Sequence, residues 1–502
     1  MDRKQARIAG LIAAALALIS LWVISAIDGT IPFPPTALAD RFIRATPGDV
    51  ATFFIELLHK WAMRALSAGV VVVTLGLGAE ALARSARTGP PHPRATAAVL
   101  AVAAALAGLA SPQKVSVVGM LFSAALAGVV YAIVATRLYG GLTTEAGADA
   151  SRRRALRVGF GGALGLALAG GAIGWALKRL SGPDRDVALV APESPATIPA
   201  RTGFPEVAGL TPEVTSARDH YEVDINLVPP TVEVDTWRLR VEGEVDRPLD
   251  LDFAGLQANY EIVEQYSVLS CVSNEVGGDL VGNSAWGGVR LRDVLNEAGV
   301  KDGAVDIVLR AADGYSDSIP VEVARDPEVI IAVSQNGEPL TQGHGFPCRL
   351  RVPPIYGMKN VKWIESIEVV TEDYQGYWQK RGWSDDATVR TQSRIDVAGD
   401  EDGVVAGRPT WIAGVAWAGD RGIDRVEVSL DGGGTWSRAL LKDPIAPDSW
   451  TQWAYEWTPE RAGSITIQCR ATDGDGEVQV IETAPPHPAG STGYHSIEAE
   501  VG

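Results

Sequence analysis

Apolar and polar positions alternate differently in the two parts of the chain. Over the first 180 residues apolar side chains come in unbroken runs, and over the remainder they come every second residue or in short blocks. Five runs, near residues 8–27, 61–82, 95–111, 116–136 and 158–177, match the roughly 17–25 residues a helix needs to span a bilayer. The third is short and alanine-rich. This pattern predicts a transmembrane region over residues 1–180 with five helices. The basic residues of MDRKQAR, RSARTGPPHPR and SRRRALR fall on one side of five crossings. Positive charge stays inside, so the N-terminus is expected in the cytoplasm and everything after Leu177 outside, with the lipid bilayer of the cell membrane as the first partner.

Residues 181–218 are rich in Pro, Ala, Ser and Thr without periodicity and read as an extracytoplasmic linker. Over 219–398, strand-like runs such as TWRLRVEGEV and CRLRVPP mix with a helical LRDVLNEAG that stops at Gly299, which predicts an α+β domain. Over 399–502 the texture becomes strict alternation broken by glycine turns, as in DRVEVSLDGGGTW. That predicts an immunoglobulin-like β-sandwich, a module suited to homodimer formation.

Charge sharpens the division. The net charge is −17, but residues 1–180 hold 18 Lys/Arg against 8 Asp/Glu, leaving about −27 for the rest. So acidic a domain repels nucleic acid, and no G-x-G-x-x-G or phosphate-binding loop supports nucleotide binding. Against this background HGFPCRLRVPPIYGMKNVK, 344–362, contains Arg349, Arg351, Lys359 and Lys362 and no acid. One reading is a solvated edge strand blunted by charge; the other is a pocket for an anion such as phosphate.

Three cysteines do not make a disulfide framework. Cys469 in SITIQCRATD and Cys348 in FPCRLRV share strand parity with apolar neighbours and read as core. Cys271, at the end of SVLSC and before the glycine-bearing VGGDLVGN, has no such explanation, and a soft thiolate there suits a transition metal. The fifth apolar run adds a related hint. SRRRALRVGFGGALGLALAGGAIGWAL reads either as an anchor packed through Gly161/Gly165 and Gly170/Gly174 or as an internal twin-arginine export signal. The second reading implies a domain that takes up a cofactor before export.

From about residue 219 onward the chain resembles the sulfite oxidase family of molybdopterin enzymes. The likeness rests on LSCVSN with GVRLRDVL downstream, on DGYSDSIP, and on NGEPLTQGHGFPCRLRVP followed by NVKWIESIEV. It implies a molybdenum–molybdopterin cofactor with Cys271 as the protein ligand to the metal. It also implies that Asp313, His344, Arg349 and Lys362, with Lys359 and Asn360 beside them, contact the pterin and its phosphate. Tyr221 and Asp224, in YEVDI, occupy the place of the family's first cofactor loop. The membrane half resembles that of actinobacterial members.

The departures from the family bear on substrate. Three arginines of sulfite oxidases are replaced by Val223, Val276 and the stretch around Gly490, and their active-site tyrosine by Trp383 in WQKRGW. Each lost hydrogen bond to a charged group removes roughly 1.5–3 kcal/mol, so a neutral or amphipathic substrate is expected in place of sulfite. Asn274, Tyr315 and Trp383 are the candidate pocket residues. No cytochrome b5-like segment is present, and His59 and His92 do not pair across helices. No haem is therefore expected, and electrons would pass to a separate cytochrome or quinone-linked partner. The expected activity is two-electron oxygen-atom transfer. The competing readings are a sulfoxide-type reductase or sulfite dehydrogenase, and a non-enzymatic membrane-tethered binding protein.

Overall fold

Arg3–Ile27, Ala62–Ser85 and Val117–Thr143 are long helices, built from alanine, leucine and valine without an interrupting proline. The computed structural model describes residues 3–46, 62–86, 92–111, 115–143, 187–226, 228–399 and 403–502. Within it, Arg3–Ile27, Ala65–Ser85 and Val117–Gly140 are long and apolar enough to cross a membrane. The span expected at 95–111 is a helix of 17 residues, Pro93–Leu109, which falls short of that length. Three of the five expected spans therefore qualify among the described residues. The fifth, with its twin-arginine block and glycine pairs, lies outside them. A short helix not foreseen from the runs, Pro34–Ala45, begins on two prolines and carries charged residues every few positions, so hydropathy passes over it.

Small residues bring these helices together. Gly10 backs onto Gly78 and Ala79, Gly78 onto Ala14, and Gly128 onto Ala97 and Ala101, and in each place a side chain would meet its neighbour. The Tyr131 hydroxyl donates to the Gly78 carbonyl at 2.7 Å. The segment Asp224–Thr231 belongs to this helical unit, where Arg44 Nη2 donates to Asn226 Oδ1 at 2.9 Å.

The second unit comprises Asp186–Val223 and Val232–Gly502. Its first part holds two sheets. One orders β2 (Leu249–Leu251), β1 (Leu239–Gly243), β10 (Ile364–Val370), β5 (Asp306–Ala311) and β6 (Ser316–Pro320), with β1 and β10 parallel. The other runs β3 (Ile262–Ser270), β4 (Val281–Arg290), β7 (Ile330–Gln335) and β8 (Glu338–Pro339), with β9 (Arg349–Arg351) also paired to β7. The predicted helix is Leu291–Ala298, closed by left-handed Gly299. This is the α+β architecture.

Two four-stranded antiparallel sheets follow. The first is β11 (Gln392–Ala398), β12 (Thr410–Trp417), β16 (Thr451–Trp457) and β15 (Leu440–Leu441). The second is β14 (Ser437–Arg438), β13 (Ile423–Ser429), β17 (Gly463–Asp473) and β18 (His495–Val501). Val426, Val428, Ile467 and Cys469 meet Ile412 and Trp453 in the core between them, as the alternation predicts.

The stretch read as a linker is not a free tether from residue 187 on. Arg394 Nη2 donates to Thr211 Oγ1 at 2.9 Å and Lys442 Nζ to Glu213 Oε2 at 2.7 Å. Trp450 Nε1 donates to the Glu213 carbonyl, and the Thr215 amide to the Asn283 carbonyl at 2.7 Å. An irregular strand held by backbone and polar contacts carries no periodicity, which is why composition alone misreads it.

Candidate active site

Strand β3 is tied to β4 over its whole length, from Ile262 opposite Val289 to Ser270 opposite Val281. Its pairing ends at Cys271, whose amide donates to the Leu280 carbonyl at 2.9 Å, and the eight residues 272–279 close the hairpin. Asn274 holds this loop from inside. Its amide donates to the Cys271 carbonyl at 3.1 Å, and its Oδ1 accepts from the Leu280 amide at 2.9 Å. Asn274 thus shapes the loop with the side-chain carbonyl that a pocket role would have used.

All three thiols are free and buried, yet they differ in company. Cys348 and Cys469 sit within the two apolar cores, where burial pushes the Cys469 thiol up to about 12 and the Cys348 thiol higher still. Cys271 belongs to neither core. Burial raises its thiol as well, but Ser273 Oγ, 2.9 Å from Sγ, and the charge of Lys362 pull the other way.

Around this sulfur stands a group of rings and cations. His220 stacks on Tyr221 with centroids 5.2 Å apart and meets Trp286 and His344 edge-on at 5.7 and 5.4 Å. Arg349 lies over Trp286 and donates to the His344 and Asn360 carbonyls at 3.2 and 3.1 Å. Lys362 donates to the Gly343 carbonyl at 2.9 Å and covers Trp363. The Tyr221 phenol is raised chiefly by burial, and also by Cys271. Burial lowers His220 to about 3 and His344 to about 4, with Arg349 adding to both, so the rings are neutral near pH 7.

The structure thus brings together Cys271, Tyr221, His344, Arg349 and Lys362, and adds His220, which the sequence reading missed. His220 lies in a stretch without periodicity, so nothing marked it. Asp313 is buried and its Oδ1 accepts from the Tyr315 amide at 2.9 Å. Asp224 belongs to the helical unit.

Three expected site residues have other occupations. Lys359 Nζ donates to Asp317 Oδ1 at 3.1 Å, Asp385 Oδ1 at 2.6 Å and the Ser318 carbonyl at 2.9 Å. Its charge is spent on two carboxylates, 42 residues before it and 26 after, that a count within the basic island could not see. Asn360 accepts from Arg351 Nη1 and the Val352 amide at 2.7 Å each and donates to the Ile355 and Tyr356 carbonyls, which uses every hydrogen-bonding position it has. The Tyr315 hydroxyl donates to the Met358 carbonyl at 2.7 Å and stands 3.0 Å from Asp317, so it is a packed residue. Nor is β9 a solvated edge. Arg349 and Arg351 are both buried, Arg351 among Ser267, Val268 and Asn360.

Trp383 lies 6% exposed in a row of rings, 5.9 Å from Trp378 and 5.1 Å from His487. His487 belongs to a loop of the sandwich that also reaches the cysteine turn, where Ser491 Oγ donates to the Asn274 carbonyl at 2.7 Å. Gly490 in this loop, at φ +91°, abuts the Tyr356 hydroxyl so closely that no side chain fits.

Similarity to known proteins decides the family. Residues 226–378 match the oxidoreductase molybdopterin binding domain, and residues 387–483 the Mo-co oxidoreductase dimerisation domain. Sulfite oxidase of Gallus gallus is 31% identical over 325 residues, which are 55% of this chain and 69% of that protein. The chain belongs to the sulfite oxidase family. Mitochondrial sulfite oxidase of Homo sapiens is 33% identical over 309 residues, 52% of this chain and 56% of that protein. The crystal structure of the sulfane dehydrogenase SoxCD from Paracoccus pantotrophus shares the fold, with a TM-score of 0.51 at 24% identity, covering 58% of this chain and 82% of that one. The protein is therefore a molybdopterin-dependent oxidoreductase, with a cofactor domain followed by a dimerisation β-sandwich, and its cofactor is molybdenum–molybdopterin.

The residues present fit that group. The Nε2 of His220, a residue 3% exposed, is buried without a hydrogen-bond partner inside the ring cluster. Among the described residues no three of His, Cys, Asp and Glu are placed to hold a metal. A bound metal would also deprotonate a thiol that burial otherwise keeps protonated.

Proposed function

We propose that this enzyme is anchored in the cell membrane by its N-terminal helices, with the N-terminus inside and the catalytic unit outside. It performs two-electron oxygen-atom transfer on a substrate other than sulfite. The observation that carries this reading is the placing of Cys271, a buried thiol outside both apolar cores, between a serine hydroxyl and a lysine. Cys271 would ligate molybdenum. Tyr221, His220, His344, Arg349 and Lys362 would hold the pterin and its phosphate, with Asp313 shaping their floor. When bound, the molybdenum centre supplies the two-electron exchange of oxygen with water. The chain's own work is orientation. Arg349 and Lys362 neutralise the phosphate, the neutral histidines line the group without adding positive charge, and the Asn274-braced loop fixes the sulfur.

The substrate reading rests on Trp383, which puts an indole face where charge recognition would need a cation, and on Val223, Val276 and Gly490 in place of arginines. The sandwich would pair two copies, and a separate cytochrome or quinone-linked carrier would take the electrons. The twin-arginine block would export the folded, loaded domain.

Metal analysis of the purified full chain tests the reading. Near-stoichiometric molybdenum is expected, lost in Cys271→Ser and kept in Cys469→Ala. Wild-type protein without molybdenum, from a host that makes the cofactor, ends the proposal in favour of a membrane-tethered binding protein. Sulfite oxidised with ferricyanide as readily as any other substrate would instead make it a sulfite dehydrogenase.

A further inference from the structure

Resting on that reading, we propose that Arg394 and His495 of the β-sandwich are positioning residues for the metal ligand. They hold the cysteine loop, 272–279, from outside, so that the sandwich as well as the cofactor domain sets where the Cys271 sulfur points.

The loop makes its own bonds on the inside and takes others from the sandwich. Inside, Cys271 pairs with Leu280, Asn274 ties both ends, and the Gly278 amide donates to the Glu275 carbonyl at 2.9 Å. From the sandwich, Arg394 Nη1 donates to the Gly278 carbonyl at 2.9 Å and Ser491 Oγ to the Asn274 carbonyl at 2.7 Å. The guanidinium is itself held on two further sides. Its Nε donates to Asp396 Oδ1 at 2.6 Å and its Nη2 to Thr211 Oγ1 at 2.9 Å. Asp396 answers the charge, so what Arg394 gives the loop is a fixed direction. Strand β11 slips register against β12 between Ile395 and Val397, and slips of this kind re-aim side chains beside sites.

His495, on β18, adds a steric stop. The Ile395 amide donates to its Nδ1 at 2.9 Å, which locks the ring to the strand that carries Arg394. The Nε2 edge of the ring then occupies the place a side chain at Gly277 would need, and Gly277 has φ +78°, so ring and backbone both demand glycine there. The loop is thus pulled at Gly278 and blocked at Gly277. Leu280 carries the effect to the sulfur, two residues on from Gly278. Its carbonyl accepts from the Cys271 amide and its amide donates to Asn274 Oδ1, each at 2.9 Å. A Gly278 set free would loosen both bonds that frame the ligand. Partners that orient a metal ligand in this way are worth about 10–100-fold in metal affinity or activity.

Two measurements on the full chain in detergent test the inference. In protein produced without molybdenum, alkylation of each cysteine by iodoacetamide is followed by mass spectrometry, with Cys348 and Cys469, sealed in the two apolar cores, as internal controls for unfolding. Arg394→Lys keeps a charge for Asp396 but cannot reach Asp396, Gly278 and Thr211 together. It should speed Cys271 modification about tenfold and leave both controls unchanged, and His495→Ala should act in the same direction. In molybdenum-loaded protein both substitutions should shift the thiolate-to-metal absorption at unchanged molybdenum content, and Arg470→Met should not. An unmoved absorption, an unmoved Cys271 rate, or all three thiols speeding up together overturns the inference while leaving the molybdenum enzyme intact. A chain that never carries molybdenum overturns both.

Discussion

The cofactor domain and the β-sandwich are both built of antiparallel strands, yet they treat charge in opposite ways. The sandwich core of Ile412, Val426, Val428, Trp453 and Ile467 is apolar, and its ion pairs keep their cations partly exposed, as in Arg470 with Glu427 at 2.9 Å. The cofactor domain buries Arg349, Arg351 and Lys359, each below 5% exposure. Taking a cation out of water costs several kcal/mol unless partners restore it. Strands alone do not need that expense, as the sandwich shows. A domain that meets it is organised around something other than its own core.

The largest way to break this comparison is at Lys359. Lys359→Met leaves the fully buried Asp317 without a cation, so the cofactor domain should lose about 3–5 kcal/mol in chemical denaturation. Arg470→Met in the sandwich should cost no more than about 1 kcal/mol. Equal losses would mean that the buried pair is no more than a surface bridge.

A second test uses the histidines. His220 and His344 have folded values of about 3 and 4 against an ordinary 6.5. Both are bases held neutral, so the unfolded chain binds protons that the folded one refuses. Stability should therefore fall as pH drops from about 6.5 toward 4. His344→Gln should flatten this part of the profile of the thermal transition. Molybdenum-loaded protein, with an anion beside both rings, should resist acid better than protein produced without molybdenum. A profile unchanged by both comparisons would place these rings away from any anion.

What could be read from residues alone followed the same division. Sandwich strands, the helix ending at Gly299 and two core cysteines were legible because period and parity report local packing, and Cys271 stood out by failing that rule. Motifs then supplied the family. What stayed hidden were contacts that leave no period in the sequence. Lys359 looked free because its carboxylates are distant in sequence, Asn360 because its four bonds close a local knot, and the strap from 187 to 218 because its contacts are irregular. His220 was invisible for the same reason, since only the fold puts it between Tyr221 and His344.

The smallest effect lies where the two domains meet. Asp448 stands in the loop before β16, and its carbonyl accepts from the Val268 amide of β3 at 2.9 Å. Burial raises its carboxyl to about 6, with Glu328, Asp420 and Asp326 adding to that and Arg351 opposing it. Arg351 in turn is lowered to about 9, mainly by burial, and stays charged at neutral pH. Because the folded value exceeds the ordinary 3.8, the folded protein binds a proton more tightly than the unfolded chain. Above pH 6 it must hold a charge it would rather shed, and stability returns as pH falls toward 4. Asp448→Asn should therefore stabilise the protein by about 1 kcal/mol at pH 7.5, a figure discounted for partial exposure. The gain should shrink as pH falls and vanish only below about pH 3.8, where the carboxyl is neutral in the unfolded chain as well. If the substitution instead destabilises at pH 7.5, the attraction to Arg351 outweighs burial, and the buried cations of one domain are being answered by the other.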